Sequence, residues 1–317
     1  MACVGVATGG VVHHRRPASR VGIVAFNLNS PVPAALSALG VGLVRGSCDW
    51  AALEPAPDAF DWSCSDNVIV GAAAQRLRSY MTVRCTPGWA NANAGCGTLP
   101  RDMAVWYAFV QRFVARYAAY NTVLGIWNEP NLELIDDPSG AWYALLFANA
   151  SLARNTVDPE FVLAAPEVSH HALASGYYAR AVDAIQSAGA FNPIDVVSVH
   201  WYHDGPPLTD YLDAVHAVAD RHQVWLSEVG YSTPDADAQA AFYGSVLDAF
   251  AGTQRPWWTH VIFYRLWDGR DCCTEAIVTS DYARKPAFDA IREWLETAPD
   301  EPDDGNPYEL KKSKTAK

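Results

Sequence analysis

Ile126-Trp127-Asn128-Glu129-Pro130-Asn131 closes an apolar run of strand character that begins at Val123. It comes after a helix-length segment, Met103–Tyr120, in which Val105, Phe109, Phe113 and Tyr117 recur at every fourth residue. That spacing describes one buried face of a helix. The strand beyond that helix stops at a carboxylate. A second segment does the same: Val224-Trp225-Leu226-Ser227-Glu228-Val229-Gly230. A glutamate at the end of a buried run is costly unless it is paired or put to use. Two such glutamates have the chemistry of an acid and nucleophile pair acting on a glycosidic bond.

The helix–strand alternation runs the length of the chain. Strand one is Val21–Asn29, then comes a short helix at Pro33–Leu39, and strand two is Val41–Arg45. A long loop passes Trp50, Pro55 and Trp62 before a helix at Asn67–Arg76 and strand three at Tyr80–Arg84. The loop Cys85–Arg101, rich in Gly, Asn and Pro, leads to the helix Met103–Tyr120 and strand four, Val123–Trp127. Helices at Trp142–Asn155, Tyr177–Ala188, Tyr211–Asp220 and Ala236–Ala251 separate strands at Phe161–Ala165, Val196–His200, Val224–Ser227 and His260–Leu266. Lys285–Thr297 is the last helix. The strands are continuous apolar runs, as expected when both faces of a sheet are covered. Strict alternation implies a parallel sheet, and eight units imply an α/β fold closed as a (β/α)8 TIM barrel over residues 21–298. A doubly wound open sheet is the alternative, but no Gly-x-Gly-x-x-Gly comes after strand one. Residues 1–20 and 299–317 fall outside the barrel as tails. The second is polar, ends in a lysine-rich run and is expected to be disordered.

Composition narrows the class of partner. The chain has 317 residues, half of them hydrophobic, enough for a large core. Its net charge of −12 argues against nucleic acid, whose phosphates demand basic patches. No stretch reaches the roughly 18 apolar residues of a membrane span. The N-terminus is a poor signal peptide, because the cluster His13-His14-Arg15-Arg16 comes after the weakly apolar stretch instead of preceding it. Cys48 and Cys64 flank one loop and Cys85 and Cys96 another. Either pair could close a disulfide, which would place the protein in an oxidising, extracellular or cell-envelope compartment. Cys272-Cys273 are adjacent and Cys3 lies in the N-terminal tail. No Cys/His cluster has zinc spacing, so no metal or cofactor is expected.

In a (β/α)8 barrel the active site lies where strands end and loops begin. Those ends carry Arg45, Trp89, Asn128-Glu129, His200-Trp201-Tyr202, Glu228, and Arg265 with Trp267 and Asp268. Asn128-Glu129-Pro130 at strand four with a second glutamate at strand seven resembles the pattern of clan A glycoside hydrolases. The resemblance spans roughly residues 21 to 297. Several segments are similar to family 39 in particular: Val44-Arg45 with Trp50, Glu54-Pro55 and Phe60-Asp61-Trp62 after it; Thr86-Pro87-Gly88-Trp89-Ala90; Ser198-Val199-His200-Trp201-Tyr202; and Lys285-Pro286-Ala287-Phe288. Family 5 is less similar, for it commonly has a histidine near the end of strand three, where this chain has Arg84 and Trp89.

The resemblance implies a retaining glycosidase acting on a poly- or oligosaccharide, with Glu129 as general acid and then base, and Glu228 as nucleophile. It implies that Arg45 and the Tyr202 hydroxyl keep Glu228 charged. It also implies that Asn128 bonds the sugar 2-hydroxyl, that His200 orients these groups or the sugar, that Trp267 floors the reacting subsite and that Trp89 lines the cleft. Read as a barrel that binds carbohydrate without cleaving it, the chain would have little use for both glutamates. A metal-dependent amidohydrolase would need His-x-His at strand one, where Ala25-Phe26-Asn27 stands. Glu167 competes for a minor substrate role. Glu54, Trp50, Trp62 and Trp127 are expected to be structural, and His170-His171 to be solvent-exposed loop histidines.

Overall fold

Eight short, mostly buried strands pair in parallel and close on themselves. The computed structural model describes residues 14–15, 20–134, 137–188, 194–220, 222–252, 255–298 and 301–302. The barrel strands are β1 (Val21–Val24), β2 (Leu43–Asp49), β3 (Arg78–Arg84), β4 (Thr122–Ile126), β5 (Val162–Val168), β6 (Val196–Tyr202), β7 (Val224–Gly230) and β8 (Trp258–Phe263). Each pairs with its neighbours in chain order, and Gly22 opposite Ile262 joins β1 to β8. This is the TIM barrel expected from the alternation.

Two apolar cores result. One fills the barrel itself with a residue from each strand: Val24, Leu43, Tyr80, Val123, Ala164, Val196, Trp225 and Ile262. The larger core lies between the sheet and its helices. The helix Met103–Tyr117 shows how sequence specifies this layer. Asp102 caps it by accepting from Ala104 N at 2.9 Å, and Trp106, Phe109, Val110, Phe113, Val114 and Tyr117 form its buried stripe.

Several boundaries differ from those read off the sequence. β1 stops at Val24, since side-chain oxygens of Asn67 and Asn27 take the backbone amides of Leu28 and Asn29 and bend the chain away. β8 begins at Trp258 and stops at Phe263, three residues short of the expected Leu266. The helix expected at Asn67–Arg76 runs Ser63–Ala74, starting four residues earlier. Cys48–Cys64 and Cys85–Cys96 both form disulfides, while Cys272 and Cys273 are free and exposed. Among the described residues no helix is long and apolar enough to cross a membrane. His14–Arg15 pairs antiparallel with Glu301–Pro302, so these four residues depart from the tails expected there. Most of residues 1–19, including Cys3, and all of 303–317 lie outside the described residues.

Irregularities in the ladder gather toward the C-terminal ends of the strands, at β5–β6, β6–β7 and β7–β8. The β5–β6 register shifts between Pro166 and Val168, and Glu167 sits in the shift with φ 47°. The β6–β7 register shifts after Val199, which sets His200 directly opposite Glu228. Bulges of this kind re-aim side chains beside functional sites.

Candidate active site

The C-terminal ends of the strands surround a cavity of about 940 Å³. Its floor is a chain of charged groups. Arg45, on β2 and 1% exposed, donates from Nη1 to Glu228 Oε1 at 2.5 Å and from Nη2 to Glu167 Oε2 at 2.7 Å. The second amino group also lies 3.2 Å from Asn128 Oδ1. Thr82, on β3, donates to Glu167 Oε2 at 2.9 Å. One guanidinium thus joins the ends of β2, β4, β5 and β7. Burial opposes its charge, but Glu228 and Glu167 outweigh that and hold it more firmly protonated than a free arginine.

Glu228 is the more completely surrounded of the two strand-end glutamates. Tyr202 donates its hydroxyl to Oε2 at 2.5 Å, and His200 Nδ1 lies 3.6 Å from the same oxygen. Burial by itself would raise its pKa. His200, Arg45 and the Tyr202 hydroxyl reverse the sign and hold it below the usual glutamate range. The Tyr202 phenol is pushed far up, by burial first and by Glu228 next, so it remains a donor. Gly230 makes room for this arrangement: a Cβ there would stand 2.7 Å from the Tyr202 ring.

Glu129 is presented by an unusual backbone. Trp127 and Glu129 both have positive φ, 65° and 39°, and Pro130 starts a short helix immediately after. Side chains rarely adopt this left-handed region, and such residues concentrate at functional sites. The turn is pinned by Glu129 N donating to Glu167 O and Trp127 N to Val83 O, each at 2.9 Å. The Glu129 carboxylate meets His200 Nδ1 at 2.9 Å. His200 is fully buried. Burial would lower its pKa, but the Glu228 and Glu129 carboxylates outweigh it and raise it. Oxygen atoms of Glu129 and Glu228 and a ring nitrogen of His200 all lie within 4.8 Å of one another. Geometrically such a trio could hold a cation, but Arg45 already occupies the charge-neutralising position on Glu228 and would repel one.

The structure brings Arg45, Asn128, Glu129, Tyr202 and Glu228 to the cavity wall, with His200 directly behind. It does not bring Trp267 or Trp89 there. Trp267 stacks on Tyr282 and lines a separate pocket of about 180 Å³ with Arg265 and Asp268, which pair with each other. Because β8 ends at Phe263, the aromatic residue at the cavity is Tyr264 instead. Its ring lies edge-on to Tyr202 at 5.9 Å and to Phe26 at 6.3 Å. Trp89 donates to Glu54 O and packs against Trp50, so it supports the loop from below.

Three further residues differ from their sequence reading or go unmarked by it. Glu167 is completely buried under Arg45 and does not line the cavity. Asn128 donates to Glu133 at 2.9 Å, and Arg84 pairs with the same carboxylate, so Glu133 fixes the Asn128 amide. No periodic signal marks Glu133, which stands one helical turn beyond Glu129. His170 corrects the expectation of an exposed loop: only His171 is exposed, while His170 is 8% exposed and lines the cavity.

Residues 105–255 match the family model described as glycosyl hydrolase catalytic core. That stretch contains Asn128, Glu129, Glu167, His200, Tyr202 and Glu228, and leaves Arg45 and Tyr264 outside. No curated protein matches the chain in sequence. Solved structures with the same fold include the GH39 enzyme from Xanthomonas axonopodis pv. citri, at 15% identity and a TM-score of 0.71 over 91% of this chain and 68% of that one. A monomeric beta-xylosidase from Caulobacter crescentus CB15 aligns at 14% identity and a TM-score of 0.72, over 90% and 69%. Xylanase 10B from Thermotoga maritima aligns at 13% identity and a TM-score of 0.65, over 88% and 96%.

Proposed function

We propose, from the match of residues 105–255 to a glycosyl hydrolase catalytic core, that this protein is a retaining glycosidase. It cleaves O-glycosidic bonds of an oligo- or polysaccharide by double displacement. The observation that carries this reading is that one oxygen of Glu129 and one of Glu228 lie within 4.8 Å of each other across one cavity. Retaining enzymes hold the pair about 5–5.5 Å apart, whereas inverting ones need about 6.5–9.5 Å to admit a water.

In the first step Glu228 attacks the anomeric carbon while Glu129 delivers a proton to the departing glycosidic oxygen. An ester between Glu228 and the sugar results, and the alcohol leaves. In the second step Glu129 takes a proton from water, whose oxygen attacks the anomeric carbon and frees Glu228. The donors from Arg45 and Tyr202 keep Glu228 ionised and aimed. Asn128, whose amide donates to Glu133, bonds the sugar 2-hydroxyl in this reading. In this reading Tyr264, which lines the cavity, takes the subsite role expected of Trp267. The paired disulfides favour an oxidising compartment.

The test is kinetic. Glu228→Ala should lower turnover of aryl glycosides by about 10⁴-fold or more. Glu129→Ala should lower it by about 10²–10⁴-fold, least for the best leaving groups. Azide should rescue Glu228→Ala as an inverted glycosyl azide and Glu129→Ala as a retained one. Wild-type turnover in both variants would dispose of the assignment, and the reverse product pattern would exchange the roles.

A further inference from the structure

His170 sits next to Ser169 just beyond β5 and lines the same cavity as Glu129, near enough to feel that carboxylate's charge. It is 8% exposed, and neither ring nitrogen has a hydrogen-bond partner among the described residues. The nearest acid, Asp204 Oδ1, is 3.9 Å from Nε2, beyond hydrogen-bond reach. A buried imidazole with both nitrogens idle is costly, since native structures pair nearly all such groups. The residue is also held in place. Asn131 Nδ2 donates to Ser169 Oγ at 2.7 Å and Ser169 N to Asn131 Oδ1 at 3.1 Å, bracing the loop against the short helix after Glu129. Burial, then the adjacent His171, lowers the pKa of His170 and favours the neutral ring. A neutral imidazole offers one donor and one acceptor, the complement of a sugar hydroxyl.

We propose that His170 is a specificity-determining residue that hydrogen-bonds a hydroxyl of the leaving-group sugar, so that the natural aglycone is itself a carbohydrate. This rests on the reading of Glu129 as the general acid, because the acid stands on the side from which the leaving group departs. The lining of this cavity also includes Leu132, 52% exposed, and the polar neighbours His203 and Asp204. Together they offer an apolar face and hydrogen-bonding groups to one ring.

The experiment compares two leaving groups on one glycone. Wild type, His170→Ala and His170→Gln are assayed on the 4-nitrophenyl β-glycosides of xylose, glucose and mannose and on xylobiose, cellobiose and mannobiose. The quantity read is kcat/KM on the disaccharide divided by kcat/KM on the aryl glycoside with the same sugar. This ratio is independent of the fraction of folded enzyme. A nitrophenyl group has no hydroxyl for His170 to bind. His170→Ala should lower the ratio about 10–100-fold, the cost of leaving a sugar hydroxyl unpaired. His170→Gln, which keeps a donor and an acceptor, should recover part of it. An unchanged ratio in His170→Ala overturns the inference and leaves the glycosidase reading standing. Absence of turnover on every substrate by the wild type, in these and wider glycan panels, overturns both.

Discussion

Tyr202 and Glu228 are joined by a hydroxyl–carboxylate hydrogen bond of 2.5 Å, made to the oxygen that Arg45 leaves free. Each oxygen of the carboxylate thus has its own donor. The bond favours the ionised form, and Glu228 has a pKa below that of an ordinary glutamate. For a carboxylate with a depressed folded pKa, the stabilisation is present above the unfolded value, about 4.3, and is lost as pH falls through the folded value. Tyr202→Phe should therefore shift the acidic limb of kcat/KM to higher pH and move acid unfolding in the same direction. Both are read from pH profiles of aryl glycoside hydrolysis and of denaturant midpoints. A limb that stays where the wild type has it would show that the hydroxyl does not tune Glu228.

Arg45 supports two buried anions at once. In Arg45→Met, Glu167 and Glu228 face each other without a cation, and removing one partner of a buried ion pair costs about 3–5 kcal/mol. Urea denaturation at neutral pH should show a loss of that order. It should shrink at acid pH, where the carboxylates can protonate. A pH-independent loss would point to packing instead of charge.

Gly125, in β4, is where Glu167 finds its space. A Cβ there would stand 1.6 Å from Glu167 Oε1 and 2.8 Å from Tyr80 Cε1. Glu167 cannot swing aside without leaving Arg45 and Thr82. Gly125→Ala should destabilise by about 1–3 kcal/mol and lower turnover, because Arg45 moves with its partner. Gly244→Ala is the control. It has open space around its Cβ position in the helix Ala236–Ala251 and should be neutral or stabilising by thermal melt.

The Cys48–Cys64 disulfide ties the end of β2 to the first turn of the helix Ser63–Ala74, and both cysteines border the cavity. Its loop of about 15 residues predicts a stabilisation of about 3 kcal/mol. The Cys48→Ser/Cys64→Ser double variant should lose about that much by urea denaturation. An unaltered midpoint would mean the covalent tie adds nothing to the packing of Cys48, itself 2% exposed.

The fold is legible in the sequence because most barrel strands contain a short apolar run, and a helix such as Met103–Tyr117 announces its buried stripe. The strand count alone puts Glu129 and Glu228 at the ends of the fourth and seventh strands. The sequence conceals features that depend on where strands stop. Ending β8 at Phe263 exchanges Trp267 for Tyr264, a difference of three residues that no apolar pattern marks. Ser-His-His has the composition of an exposed loop, yet His170 is 8% exposed. The role of Glu167 beneath Arg45 depends on the β5–β6 bulge and on the missing side chain at Gly125, and neither can be read from strand-end composition.

In the proposed cycle Glu228 surrenders its charge for as long as the sugar is esterified to it. Were it the only anion near Arg45, each turnover would strand a cation in a site 1% exposed, and the intermediate would bear that penalty. Glu167 prevents this. With both carboxylates ionised the floor carries one excess negative charge, which suits the cationic sugar at the transition state. With the ester formed, Arg45 and Glu167 are left as a neutral pair. Arg45 therefore keeps a permanent counterion through both halves of the reaction, and Glu167 evens out the electrostatic cost of reaching and leaving the covalent state.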